Sequence, residues 1–247
     1  ERAVSLWDHA ADSTARRASL FRPAQMGNGT TILVLGFREP DQEQDRSVVD
    51  IASDITRSTA KWFWPGIHSA ERRLNVTVKA YDQGIQIYSE TADSLRETSP
   101  FILAMASTSD GSAAREPGEI GTVPIDLKIP RRKLPPEDPE THSRLILKLR
   151  RSSEGDPMDL ANRVALVRGN SGMVVAYRPL RPPLDGTSFH AVLLAGEAAG
   201  SLEEDHRLDR FLRACEPPSH NDWLPGTERV RAEYQRGAGA RIQRLWK

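Results

Sequence analysis

Thr30-Thr31-Ile32-Leu33-Val34-Leu35-Gly36-Phe37 is the run on which the reading of the fold turns. β-Branched and apolar residues follow one another without a polar break, which predicts a strand covered on both faces, as in an α/β sheet. The turn residues Gly27-Asn28-Gly29 lead into it. Downstream, Val48, Ile51, Ala52, Ile55, Thr59, Trp62 and Phe63 recur every three or four residues. This spacing predicts an amphipathic helix from Asp45 to Phe63, capped by Asp41 or Asp45 and stopped by Pro65-Gly66. Leu74, Val76, Val78 and Ala80 then alternate with polar residues as in a strand, and Ile85 and Ile87 predict another after the turn Asp82-Gln83-Gly84. Upstream, Val4, Leu6, Trp7, Ala10, Ala11, Ala15 and Leu20 give residues 1–26 a loose helical period, read as the remnant of a preceding domain.

The middle of the chain is strand-rich. Thr122–Ile129, Leu145–Leu149, Val164–Val167, Met173–Tyr177 and Phe189–Leu194 all predict strands, with exposed loops at 107–119 and 135–139. Leu202, Leu208, Phe211, Leu212 and Cys215 mark one side of a helix that ends before Glu216-Pro217-Pro218. A last helical segment, Thr227–Lys247, is weakened by Gly237 and Gly239. The expected class is α/β (α+β): a βαβ unit with a mixed sheet and strand-rich region over 27–200, then C-terminal helices over 201–247.

Composition narrows the function classes. Lys+Arg and Asp+Glu are equal at 34 each, so bulk charge gives no reason for an obligate polyanion partner. The single Cys215 excludes an internal disulfide and reads as an inert core thiol, and the His and Cys spacings fit no structural zinc site. No apolar run is long enough to span a bilayer and no signal pattern opens the chain, which makes the expected compartment cytoplasmic, without membrane partners. The chain opens on Glu1 and ends within a helical pattern, so it is expected to be a piece of a longer protein.

The Walker, Rossmann, zincin, hydrolase-elbow and EF-hand signatures are all absent from the sequence. Gly27-Asn28-Gly29-Thr30-Thr31 leads into a strand rather than a helix N-terminus and so reads as a turn, not a phosphate cradle. Arg168-Gly169-Asn170-Ser171-Gly172 lies between two predicted strands, where it is either a hairpin with an exposed Arg or a loop aiming a guanidinium at a phosphate. Lys61-Trp62-Phe63-Trp64-Pro65 is aromatic enough to stack on bases, but Trp62 and Phe63 fall on the helix's buried side. Two short basic patches, Lys128 with Arg131-Arg132-Lys133 and Lys148 with Arg150-Arg151, are either solvated or phosphate-contacting. Glu216-Pro217-Pro218-Ser219-His220-Asn221-Asp222-Trp223 reads as a cap for the next helix with a packed Trp223, rather than a metal site.

The stretch from Gly29-Thr30 through the helix ending Phe63-Trp64-Pro65-Gly66-Ile67 resembles ATPases of the GHKL class, which includes gyrase B, MutL, the large heat-shock chaperones and the MORC proteins. There a Gly-Thr pair opens the last strand of the nucleotide-binding domain, and a βαβ transducer domain follows. The resemblance is concentrated in residues 27–80. It implies a non-catalytic transducer whose ATP and magnesium are held by an upstream domain, because residues 1–26 match neither the magnesium-holding Asn helix nor the D-x-G-x-G element. This piece alone is then expected to be inactive and free of cofactors. The class also implies one Lys or Arg offered to the terminal phosphate: Arg168 is the candidate, with Lys61 and Lys148 behind it, and a homodimer is a possible assembly. The alternatives are a stand-alone protein-binding or scaffolding module using the strand-rich middle and the Trp-containing C-terminal segment, and nucleic-acid binding through the basic patches.

Overall fold

The structure, a computed structural model, describes residues 8–17, 46–69, 74–108, 113–134, 138–169, 172–183 and 185–246. The run Thr30–Phe37 and the turn before it, on which the GHKL resemblance opens, lie outside the described residues. Two compact units divide the chain, residues 1–45 and 46–247. In the first, α1 (Asp8–Arg17) falls within the predicted N-terminal helical stretch.

In the second unit, α2 (Val48–Ile67) leads to a hairpin of β1 (Thr77–Asp82) and β2 (Ile85–Thr91). A 3-10 turn and α3 (Ser99–Ala106) follow, then β3 (Ile120–Ile129), β4 (Thr141–Arg151), β5 (Arg163–Arg168), β6 (Met173–Pro179) and β7 (Phe189–Ala195). The chain closes with α4 (Glu203–Cys215), α5 (Glu228–Glu233) and α6 (Ala240–Leu245). β3 to β7 form a mixed five-stranded sheet in the order β3-β4-β7-β5-β6, antiparallel except for the β5/β7 pair. The α/β class expected from sequence is what is found. The described parallel pair, however, has no helical crossover: β5 and β6 are a hairpin, and the chain then returns to insert β7 between β4 and β5. Leu74–Ala80, expected in the βαβ sheet, contributes instead to the separate two-stranded hairpin.

β5 and β7 are buried along almost their whole length because both sheet faces are covered. Val164 and Leu166, with Phe189, Ala191 and Leu193, face α4, α5 and α6, where Leu208, Phe211, Trp223 and Ile242 complete the core. Ala165, Val167 and Val192 face the other way, towards Trp64 of α2 and Phe101 of α3. On β6 a bulge at Val175 shifts the register, so that Val174 and Tyr177 both reach the α2/α3 side while Val175 packs on the α4 side.

Several boundaries differ from the sequence reading. Ser47, not Asp41 or Asp45, caps α2, accepting from the Asp50 N–H at 3.1 Å. The helix also continues through Pro65 and Gly66 to Ile67. Proline has no N–H to give the Lys61 carbonyl, and the Tyr177 hydroxyl supplies that bond at 2.6 Å while accepting from Trp64 Nε1 at 2.8 Å. The Gly66 N–H is taken by the Gly172 carbonyl at 2.9 Å. The end of α2 is thus hydrogen-bonded to β6 and the turn before it, and Trp64 rather than Trp62 or Phe63 is its fully buried aromatic. Val48 and Ile55, expected on the buried face, are exposed, because the small side chains of Ala52, Thr56 and Ala60 face inward. Leu202 is likewise exposed, whereas the other predicted apolar positions of α4 are buried. The expected helix Thr227–Lys247 is two short helices, broken where Tyr234 pairs with Arg132 and the chain turns through Gly237 at φ +82°.

Tyr177→Phe leaves a carbonyl and a buried indole N–H without their partner and is expected to cost about 2–4 kcal/mol in urea unfolding. Tyr81→Phe, on the exposed end of the hairpin, is expected to change stability by less than about 0.5 kcal/mol. Equal, small effects of the two would contradict the role given to Tyr177.

Candidate functional site

Arg168 ends β5 in parallel register with Ala195, the last residue of β7. The carboxyl ends of parallel strands are where α/β sheets assemble sites, because loops diverge there. Both strands are followed by glycine in a left-handed conformation, Gly169 at φ +65° and Gly196 at φ +57°. A Cβ on Gly196 would sit 2.8 Å from the Cβ of Asp209, and one on Gly169 would sit 3.3 Å from Asp209 Oδ1. The two glycines therefore make room for α4 to bring the Asp209 carboxylate against the end of the parallel pair.

Between these strand ends and the segment after α4 the Arg168 guanidinium is held on several edges. Its Nε donates to Glu216 Oε1 and its Nη2 to Glu216 Oε2 at 2.6 Å, a forked pairing, while Nη1 donates to Asp209 Oδ2 at 3.3 Å. The Arg168 side chain is 14% exposed and that of Glu216 0%, so the carboxylate has no water to fall back on and the guanidinium little. Glu216 has a second partner in reach, with His220 Nδ1 at 2.8 Å from Oε2. His220 is partly exposed and sits at a left-handed φ of 51°, in a turn whose N–H donates to the Pro217 carbonyl.

The carboxylates respond differently to the same burial. Desolvation raises the Glu216 pKa, but Arg168 and His220 more than offset it and hold the group below the usual range. For Asp209 desolvation dominates, and Glu197 and Glu216 add to it against the pull of Arg168, so its carboxyl titrates above the usual range. Asp209 Oδ1 is buried with no hydrogen-bond partner among the described residues. The cluster is thus one guanidinium shared by two carboxylates, the less well-solvated oxygen of which is unbalanced.

The other cations singled out in the sequence are placed elsewhere. Lys148, on β4, donates from Nζ to the Met105 and Ser107 carbonyls at 2.8 and 2.6 Å, closing the end of α3, and burial lowers its pKa. Lys61 lies half-buried on α2, where its charge helps to lower the pKa of Glu97. Neither shares a partner with Arg168, which draws its contacts from α4 and the 216–220 segment. In the two basic patches, Lys128 pairs with Glu140, Arg132 with Glu233, Arg150 with Asp156 and Arg151 with Asp185.

Contrary to the sequence reading, Glu216–Trp223 does not cap the next helix: Thr227 caps α5, accepting from the Val230 N–H at 3.2 Å. Trp223 is packed as expected, stacked on Trp246 at 6.3 Å. Beside it Pro217, Pro218, His220 and Leu224 line a pocket of about 660 Å³ that reaches Glu216. Cys215 is buried and its thiol is pushed up by desolvation, which suits a core role. Among the described residues no group of His, Cys, Asp and Glu is placed to hold a metal ion, and no helix is long and apolar enough to cross a membrane. Sequence reasoning found Arg168 through its glycine-flanked loop but missed Asp209, Glu216 and Gly196 as its surroundings. The available signal was the second glycine following a buried strand, in Leu194-Ala195-Gly196. No protein-family model, no curated protein and no solved structure matches the chain.

Because the folded pKa of Glu216 is depressed, its contribution to stability is present above the unfolded value of about 4.3 and is lost as pH falls through the folded one. Asp209 is the reverse: with a raised folded pKa, its ionisation removes stability as pH rises through that value. Urea unfolding of Asp209→Asn beside the parent is expected to show the parent losing ground as pH rises above the unfolded carboxylate value of about 3.9. A difference independent of pH would contradict the strained carboxylate.

Proposed function

We propose that the chain is the transducer part of a GHKL-class ATPase, non-catalytic by itself, which passes the nucleotide state of a preceding domain to the segment that follows the sheet. One observation supports this reading more than any other: Arg168, at the carboxyl end of the parallel pair, is paired to a buried Glu216 that has a second partner in the His220 imidazole.

The pairing can act as a latch. A guanidinium in this fork geometry suits a phosphate as well as a carboxylate. Taking it from Glu216 would leave a buried charge unpaired, which costs several kcal/mol, but the His220 imidazole stays within hydrogen-bond reach of the carboxylate, at 2.8 Å. Exchange of partner then releases β5 from α4 and the 216–220 segment, and the charge of the phosphate becomes a displacement. In this reading ATP and magnesium belong to the preceding domain, and this chain supplies Arg168, with Lys61 as the other candidate. A protein carrying the N-x-x-[DN] and D-x-G-x-G elements upstream of this chain is expected to hydrolyse ATP and to lose at least about a hundredfold of that rate on Arg168→Ala. Thermal unfolding in parallel separates lost coupling from lost folding. Full hydrolysis by folded Arg168→Ala would remove the assignment, and loss on Lys61→Ala alone would move it there.

A second reading, a binding module without catalysis, is favoured by the proline-lined pocket at Pro217, Pro218 and Leu224. Under it the extended protein shows no ATP hydrolysis at all.

A further inference from the structure

Where α5 and α6 meet, the chain turns through Gln235, Arg236 and Gly237 around a pocket of about 420 Å³, within the range of small-molecule sites. Its wall holds three basic side chains, Lys133, Arg231 and Arg236, and two amides, Gln243 and Gln235, with no acidic side chain in the wall itself; Gln235 donates to Glu140 outside it at 3.3 Å. In a chain with as many acidic as basic residues this is a segregation of charge. Neighbouring basic residues are neutralised: Arg132 and Arg229 both pair with Glu233, and Arg241 pairs with Glu140. Lys133 reaches only the Arg231 carbonyl, at 3.4 Å, and Arg231 and Arg236 form no ion pair with a described residue.

Two of the glycines in this wall leave room beside the cations, whereas Gly239 is packed against Pro225. Arg231 Nη2 lies 3.4 Å from where a Cβ on Gly226 would be, and the corresponding position on Gly237 is open space. Tyr234, in the same wall, is 2% exposed, and its hydroxyl has no partner among the described residues. Unpaired cations in a concavity focus positive potential there, and guanidinium groups and amides are suited to phosphate oxygens. The exposed Glu228 and the Glu233 on α5 interrupt the basic surface, so it does not continue as the stripe that a nucleic-acid strand requires.

We propose that this pocket binds a small phosphorylated ligand, with Lys133, Arg231 and Arg236 on its phosphate oxygens and Gln235 and Gln243 on its polar body. The site shares no residue with the Arg168 cluster and does not depend on the transducer reading. Calorimetric titration of the chain with inorganic pyrophosphate at low salt tests it. Saturable binding is expected, weakened about tenfold or more in Arg231→Gln/Arg236→Gln. The thermal midpoint of that variant without ligand is expected to be unchanged, because neither arginine is ion-paired with a described residue. Absence of saturable binding, or equal binding by parent and variant, would overturn the proposal. So would binding of a single-stranded oligonucleotide that strengthens with length and that pyrophosphate does not displace, since it would show an open nucleic-acid surface instead.

Discussion

Burial of the β5/β7 pair on both faces is the constraint from which the rest of this structure follows. Two adjacent strands whose side chains are apolar in both directions have to be covered twice, and the chain does this with α2 and α3 on one side and α4, α5 and α6 on the other. Each covering layer is then fixed by a polar contact suited to its position. On the first side the Tyr177 hydroxyl meets the carbonyl that Pro65 cannot serve, and the Trp64 indole meets Tyr177. On the second, Arg168 at the strand end meets Asp209 and Glu216. Both are polar groups whose burial is tolerable only because a partner waits for them.

That constraint also explains the electrostatics of the strand ends. The covering helices leave little water at the place where β5 and β7 stop, so Arg168 is not a solvated loop cation. With two carboxylates to share, one guanidinium leaves Glu216 well stabilised and Asp209 poorly so. A buried oxygen without a partner among the described residues, beside a histidine that also reaches Glu216, is the feature on which the coupling proposal rests, since a switch needs two states of similar energy.

Much of the fold was legible in the sequence. Alternation and apolar runs found the strands of the sheet, because a strand's two faces are recorded residue by residue. α2 shows where this fails: Val48 and Ile55 look like core positions by hydrophobicity, but the helix buries the small Ala52, Thr56 and Ala60 instead, with Tyr88 of the hairpin on Thr56. Its extension through Pro65 was also hidden, since the compensating hydroxyl lies 116 residues away. The candidate site was legible only as a single residue. Gly169 marks the loop that carries Arg168, but Glu216 is 48 residues further along and beside a proline pair that reads as a turn. No periodicity links residues so far apart, and only the insertion of β7 beside β5 brings the end of α4 over them.

The most direct measurement is a double-mutant cycle on Arg168→Met and Glu216→Gln, read by urea unfolding at neutral pH. If the pair is buried and interdependent as described, each single change costs about 3–5 kcal/mol and the double change costs far less than their sum, giving a coupling of at least about 2 kcal/mol. Additive effects, with coupling below about 0.5 kcal/mol, would mean that Arg168 and Glu216 do not hold each other, and the latch at the end of the parallel pair would have to be abandoned.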